Sequence, residues 1–271
     1  MSRNLSTRKT QLQKLLGQSF LKDQNQVRKI VDSAQIGKKE TILEIGGGEG
    51  SITLELVKKA KKVVCIEKDS ILAHGLKDLN IKNLEVIEAD VLQLFKNNKL
   101  DIKGLKEYKV VANIPYYLTS ILIRNLLEAD NKPNDIFLMI QKEVAERICS
   151  KPPHMSILSV SVQYYADPKT LFKVSKGCSS PQPKVDSALI QITPKGIKKN
   201  DSFFKVVKAG FSHPRKQLIN NLSNGLRISR EEASSCLKKI GIEPEQRAET
   251  LSLDDWVNLH NALVNHGKNS K

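Results

Sequence analysis

Apolar residues along this chain follow two rhythms. Short apolar runs at Thr41–Ile45, Val63–Ile66, Leu84–Ile87, Lys109–Ala112 and Ile136–Ile140 have the length and bounded character of buried strands. Between them, apolar positions recur every three to four residues. This spacing predicts helices over Gln24–Ala34 (Val27, Ile30, Val31 and Ala34 on one side), through Ile52, Leu54, Leu56 and Val57, over Thr119–Ala129 and over Lys142–Ser150. Strands alternating with helices imply an α/β domain whose parallel sheet is covered on both faces. Leu171–Val174 and Ser187–Ile192 are two further strand candidates facing each other across the turn Pro181–Pro183, so the sheet is expected to close with an antiparallel last strand. Composition shifts at Pro194–Asn200. Beyond it Phe203–Phe211, Arg215–Leu222, Arg230–Ile240 and Leu253–Val264 read as helices of a small all-helical domain. The expected organisation is an N-terminal arm over 1–22, an α/β domain over 23–194 and a helical domain over 195–271.

The 271 residues, 39% of them hydrophobic, suffice for a true core plus a smaller domain. No stretch approaches the ~18 uncharged apolar residues of a membrane span, and Met1–Leu12 lacks the apolar core of a secretory signal, so a cytoplasmic protein is expected. The basic, acid-free N-terminus leaves an organellar transit segment open, although Lys9–Leu21 reads as mature protein. Cys65, Cys149, Cys178 and Cys236 are far apart and form no CxxC pair, which argues against zinc and disulfides; Cys65 and Cys149 read as small core residues. The net charge of +15 is unevenly spread. Arg3, Arg8, Lys9, Lys14 and Lys22 have no acid among them. Lys195, Lys198, Lys199, Lys205, Lys208, Arg215, Lys216 and Arg227 stand against Asp201 alone. Such concentration is the footprint of a polyanion binder, here expected to be nucleic acid; a generally basic solvated surface is the bland alternative.

Candidate chemistry lies at the strand ends. Glu44-Ile-Gly-Gly-Gly-Glu-Gly50 follows one strand and opens a helix, so backbone can approach a nucleotide-like cofactor beside a helix N-terminus. Glu67 ends the second strand 21 residues after Gly46, the spacing at which a carboxylate accepts from both ribose hydroxyls. That acid would also suit a nicotinamide dinucleotide. Glu49 is an awkward neighbour for a pyrophosphate, however, and Asp90 after the third strand can accept from an adenine amino group, which turns the reading toward S-adenosylmethionine. After the fourth strand come Asn113, Ile114, Pro115 and Tyr116. The Asn113 side-chain carbonyl and the Ile114 carbonyl can both accept from an exocyclic –NH2, Pro115 stiffens the turn, and Tyr116 offers a stacking face. Alone, the tetrad also reads as an ordinary strand-ending turn. The five histidines show no ligand spacing, no metal is expected, and His213 reads as structural or as an RNA contact rather than a catalyst.

Taken in order, these motifs resemble the KsgA family of ribosomal RNA adenine dimethyltransferases over nearly the whole chain. The resemblance rests on Leu16-Gly-Gln-Ser-Phe-Leu21, the glycine run, Glu67 in Ile-Glu-Lys-Asp, Ala89-Asp90-Val91 and the Asn113–Tyr116 tetrad. It extends to Pro181-Gln-Pro-Lys-Val-Asp-Ser187, Phe211-Ser-His-Pro-Arg-Lys-Gln-Leu218 and Arg247-Ala-Glu-Thr-Leu-Ser252. It implies a Rossmann-like, class I S-adenosylmethionine-dependent methyltransferase sheet with a C-terminal helical domain. The implied cofactor shell is Ser19, Leu21, Gly46, Glu67, Asp90 and Asn113. Three positions depart from the family pattern: Ser19 where asparagine is usual, Ser179 where an aromatic commonly packs on the target base, and Pro214 where a second arginine is frequent. With Ser179, Tyr116 grips the base alone or with help from Tyr117.

The implied reaction is in-line methyl transfer to the N6 amine of RNA adenosine, with Asn113 and Ile114 orienting the nitrogen and no strong general base required. The implied substrate is two adjacent adenosines in a loop near the 3′ end of small-subunit ribosomal RNA, each methylated twice. RNA is expected to meet Lys205, Lys208, Arg215 and Lys216, and the protein is expected to act as a monomer. Two alternatives stand beside this reading: a macrolide-resistance-type methyltransferase of large-subunit RNA, and a non-catalytic ribosome-assembly or transcription factor of the same fold.

Overall fold

A computed structural model describes residues 19–96 and 105–269, so most of the basic arm, including Leu16, Gly17 and Gln18, lies outside the described residues. The described chain divides into two compact units, residues 1–145 with 167–194, and residues 146–166 with 195–271.

In the first unit a two-residue strand β1 (Phe20–Leu21) precedes helix α1 (Gln24–Ser33). The Asp23 carboxylate caps α1 by accepting from the N–H groups of Asn25 and Gln26, and Val27, Ile30 and Val31 are its buried stripe. Then follow β2 (Thr41–Ile45), α2 (Ser51–Lys59), β3 (Lys62–Glu67), α3 (Ser70–Lys77), β4 (Leu84–Glu88), α4 (Val91–Lys96), β5 (Tyr108–Asn113), α5 (Thr119–Glu128), β6 (Asp135–Gln141) and α6 (Lys142–Ile148). After α7 (Ile157–Tyr165) come β7 (Ala166–Val174), β8 (Ser179–Ser180) and β9 (Ser187–Pro194). The seven-stranded sheet has the order β4-β3-β2-β5-β6-β9-β7. Strands β2 to β6 pair in parallel, and β9 runs antiparallel to β6, with Ile136 opposite Ile192 and Gln141 opposite Ser187. The expected antiparallel closing strand is therefore present. Interior strands are buried almost end to end, as a sheet covered on both faces requires, whereas edge strand β4 has no fully buried residue.

The second unit contains α8 (Asp201–Gly210), α9 (Leu218–Leu226), α10 (Arg230–Lys239) and α11 (Leu253–Asn269). Its core holds Phe203, Val207, Leu218, Leu222, Leu237, Trp256 and Leu259, all almost fully buried. Met155 and Val160 belong to the same core. This corrects the expected boundary: Glu146–Ala166 belongs to the helical unit, because the apolar face of α7 packs on α8 and α11. The later change between the units falls after Pro194. The helix expected from Arg215 begins at Leu218, where its first N–H groups donate to the carbonyls of Gln246 (2.7 Å) and Pro244 (3.1 Å). Helices α3, α4 and α7 had no counterpart in the hydrophobic pattern.

Gly210 ends α8 against Trp256. A Cβ there would overlap the indole ring and lie 3.1 Å from Leu218 Cδ1. Gly210→Ala is expected to destabilise the helical unit by about 1–3 kcal/mol through overpacking, read as a lowered thermal midpoint while cofactor affinity is unchanged.

Candidate active site

Register builds the site. Ile45 pairs with Ile66 on one side and with Ala112 on the other, so Gly46, Glu67 and Asn113 emerge together at the carboxyl edge of adjacent parallel strands. They open into a cavity of about 330 Å³ that is also lined by Ser19, Leu21, Asp90, Ile114, Pro115 and Tyr116. Every residue expected in the cofactor shell and the tetrad thus borders one space. Lys205, Lys208, Arg215 and Lys216 belong to the other unit.

The glycine turn is sterically compelled. Gly46 has φ +80°, in the left-handed region. At Gly47 a Cβ would overlap Cys65 Sγ and stand 2.7 Å from Leu76 Cδ1, so the backbone lies directly on the sheet. Glu67 is held from inside: one carboxylate oxygen accepts from Gly48 N–H (2.9 Å), the other from Asp69 N–H (2.8 Å). Its remaining lone pairs suit a vicinal diol. Asp90 accepts from Leu92 N–H (2.9 Å) and pairs with Lys68 Nζ at 3.0 Å. The Lys68 hydrogen bond holds its carboxyl below the ordinary carboxylate range, so it stays an ionised acceptor for an amino group. Glu49 pairs with Lys22, which neutralises the acid beside the turn. Backbone N–H groups, a diol acceptor and an amine acceptor in one cleft fit an adenosine cofactor.

At the tetrad, Asn113 Nδ2 donates to the main-chain carbonyl of Ser19 at 3.2 Å, which leaves the side-chain Oδ1 as an acceptor with no partner among the described residues. The Ser19 hydroxyl donates to the Pro181 carbonyl at 2.8 Å. β1 pairs with β8, placing Phe20 opposite Ser180 and Leu21 opposite Ser179, so the chain before α1 is stitched to the proline turn. Tyr116 is pinned at both ends: its hydroxyl meets Ser187 Oγ at 3.0 Å and its carbonyl accepts from Thr119 Oγ1 at 3.0 Å. Tyr117 is 70% exposed at the cavity rim.

Sequence reasoning gave no role to Glu44, Lys68, Ser187 or Asn221. Glu44 opens the quoted glycine motif, and its position on a fully apolar strand was the available signal. It is buried, and burial pushes its pKa from the ordinary 4.5 up to about 7, with Thr53 and Cys65 opposing the shift and Glu67 adding to it. In the helical unit, buried Asn221 donates to the carbonyls of Gly210 (2.7 Å) and His213 (3.0 Å), bracing the exposed segment that carries Arg215 and Lys216. Lys205 and Lys208 lie on the exposed face of α8, and His213 is exposed beside Ser212. Among the described residues no group of three His, Cys, Asp or Glu side chains could hold a metal ion, and no helix is long and apolar enough to cross a membrane. The four cysteines are unbridged, Cys65 buried and Cys149 half-buried.

A parallel sheet with a glycine turn after its first strand, Glu67 at the end of the second and the Asn113–Tyr116 tetrad after the fourth, all bordering one cavity, has the layout of a nucleotide-cofactor methyltransferase. The chain belongs to the ribosomal RNA adenine dimethylase family, whose sequence profile matches residues 9–265. It is therefore an S-adenosylmethionine-dependent ribosomal RNA adenine methyltransferase. A protein of Dehalococcoides mccartyi strain 195 named ribosomal RNA small subunit methyltransferase A is 38% identical over 253 residues, covering 90% of this chain and 86% of the relative. A Bacillus cereus strain B4264 protein of the same name is 39% identical over 270 residues, covering 93% and 91%. Among solved structures, a dimethyladenosine transferase from Plasmodium falciparum superposes with TM-score 0.76 at 26% identity, covering 92% of this chain and 98% of that one. The 23S rRNA methyltransferase ErmE superposes with TM-score 0.71 at 24% identity, covering 90% and 99%, which shows the shared fold.

Glu44 generates a pH prediction. Below 4.5 the carboxyl is protonated in both folded and unfolded chains; above about 7 it is charged in both, and the folded state carries the whole burial penalty. Stability is thus expected to fall as pH rises from 4.5 to 7. Glu44→Gln should remove that slope, measured as the pH dependence of the urea midpoint for wild type minus variant.

Proposed function

We propose that this protein dimethylates, at N6, two adjacent adenosines in a loop near the 3′ end of small-subunit ribosomal RNA, working as a cytoplasmic monomer on a precursor of the small subunit. The observation carrying this reading is the Asn113 side chain, whose amide donates to the Ser19 carbonyl so that its own carbonyl is the acceptor at the cavity. An amine-methylating site needs that polarity.

S-adenosylmethionine supplies a methyl group on a positive sulfur, which keeps the bonding electron pair as the adenosine nitrogen's lone pair forms the new N–C bond. Glu67 holds the ribose hydroxyls, Asp90 accepts from the cofactor's adenine amine, and the turn at Gly46 lets the backbone approach. Leu21 closes the apolar side, and Ser19 holds Asn113. Asn113 Oδ1 and the Ile114 carbonyl accept the two amine hydrogens, and the Pro115 ring fixes the turn between them and Tyr116. In the free base the nitrogen lone pair is delocalised into the ring. Two acceptors that favour a pyramidal nitrogen therefore stabilise the transition state more than the ground state. The proton becomes acidic once nitrogen carries the methyl and a positive charge, and it leaves to water. Unstacking the target base costs about a few kcal/mol; stacking on Tyr116, worth about 1–3 kcal/mol, offsets much of it. No metal takes part. Arg215, Lys216, Lys205 and Lys208 meet RNA phosphates.

Labelled methyl from S-adenosylmethionine, offered to under-methylated small and large subunits with digestion to nucleosides, is expected in dimethyladenosine of the small subunit. Label confined to the large subunit would support the resistance-type reading, and no label despite cofactor binding an assembly factor. Asn113→Ala is expected to lower transfer about 10²–10³-fold with RNA binding nearly intact; equal activity refutes its role. Arg215→Ala with Lys216→Ala should weaken RNA binding and flatten log K against log salt by about 1–2; an unchanged slope refutes the contact.

A further inference from the structure

The amino ends of parallel strands lie on one edge of a sheet, opposite the carboxyl ends that hold the active site. Here that edge is basic. Lys38 and Lys39 precede β2, Lys61 precedes and Lys62 begins β3, and Lys82 precedes β4. In the sequence these residues are some 20 positions apart and lie outside both basic segments, but β4, β3 and β2 are neighbours in the sheet. Two strand spacings, about 10 Å, separate the outer lysines' strands.

Nearby carboxylates are already engaged. Glu55 pairs with Lys58 (2.7 Å), Asp32 with Lys59, and Glu85 with Lys62 (2.7 Å). Glu40 pairs with Lys109 (3.0 Å) and accepts from Gly37 N–H. Asp78 at the end of α3 and Glu107 just before β5 are further acids near these entries. Lys38, Lys39, Lys61 and Lys82 are exposed, and no ion pair engages them among the described residues. Lys61, Lys62 and Lys82 line a hollow of about 620 Å³ with Asn83, Leu84 and Glu85.

The loops bearing the lysines are braced together. Lys61 N–H donates to the Glu40 carbonyl at 2.9 Å, joining the β3 entry to the β2 entry. Asn83 Nδ2 donates to the carbonyls of Val57 (2.9 Å) and Ala60 (3.1 Å), and Val63 N–H donates to the Asn83 carbonyl (2.8 Å), joining the β4 entry to the β3 entry. Lys109 Nζ reaches back to the carbonyls of Ala34 (3.0 Å) and Gln35 (3.2 Å). The backbone is thus fixed before any ligand arrives, and only lysine side chains must be ordered on binding.

We propose that Lys38, Lys39, Lys61 and Lys82 form a second RNA-contact surface, which takes the phosphate backbone of a helical segment of the ribosomal RNA. The proposal rests on the reading that ribosomal RNA is the substrate. Strands of five or six residues at about 3.3 Å each set this surface roughly 15–20 Å from the methyl-transfer site. It therefore engages RNA flanking the target loop and leaves the reacting base alone. Lysine ammonium groups act as point charges without base selectivity, so the contact adds affinity and register, not sequence choice.

The test combines Lys38→Glu, Lys39→Glu, Lys61→Glu and Lys82→Glu in one variant, with a variant carrying arginine at the same four positions as control. With under-methylated small subunits the glutamate variant is expected to raise KM at least tenfold, with kcat and S-adenosylmethionine affinity unchanged. Filter binding to a plain RNA duplex should lose about 2–3 from its salt slope. The arginine variant should behave as wild type in both assays. Unchanged KM and salt slope would overturn the proposal, as would a parallel fall in kcat or cofactor affinity. If wild type fails to label small subunits while the duplex slope still drops, the substrate reading fails and the surface stands.

Discussion

Ile45, Ile66 and Ala112 sit side by side in the hydrogen-bond register of three parallel strands, and that alignment decides what the next residue of each strand can do. Gly46, Glu67 and Asn113 can share one cavity only while it holds. A slip of one residue would turn each side chain to the opposite face of the sheet and bury the acid among apolar neighbours. The near-continuous burial of the interior strands keeps the register, because both faces are packed and neither tolerates an inverted strand. The core therefore acts on the site through alignment, by fixing which residue of each strand reaches the cavity.

Acidic groups around the cavity fall into two kinds. Glu67, Asp90 and Glu49 each have a donor or a cation beside them, respectively two backbone N–H groups, Lys68 and Lys22. Glu44 has burial instead of a cation, and its proton is held to about neutral pH. Carboxylates on adjacent strands thus sit in different surroundings, Glu44 enclosed by the core and Glu67 against backbone donors.

Strand ends were the legible part of the sequence. Gly46, Glu67, Asp90 and the Asn113 tetrad each follow an apolar run directly, and a parallel sheet converts such positions into neighbours by rule. Elements whose existence depends on distant packing were not legible. α3 buries only Ala73 and Leu76, too few to mark a helical stripe. α7 is fixed by a capping box between Ser156 and Ser159 and by packing against a core some 40 residues further on. The start of α9 at Leu218 follows from carbonyls at Pro244 and Gln246 that accept its first N–H groups. Nor could linear charge counting find the lysines at the β2, β3 and β4 entries, since acids adjacent in sequence hid them until pairing removed those acids.

The bond from Asn113 to Ser19 divides responsibility unequally between its partners. Asn113 contributes an amide that few side chains could replace. Ser19 contributes a main-chain carbonyl, which every residue type possesses, while its hydroxyl is spent on Pro181. The side chain at position 19 can accordingly change without withdrawing the main-chain group that orients the Asn113 amide. The arrangement assigns the orienting contact to the backbone, which side-chain substitution does not remove, and leaves the hydroxyl to tether a turn.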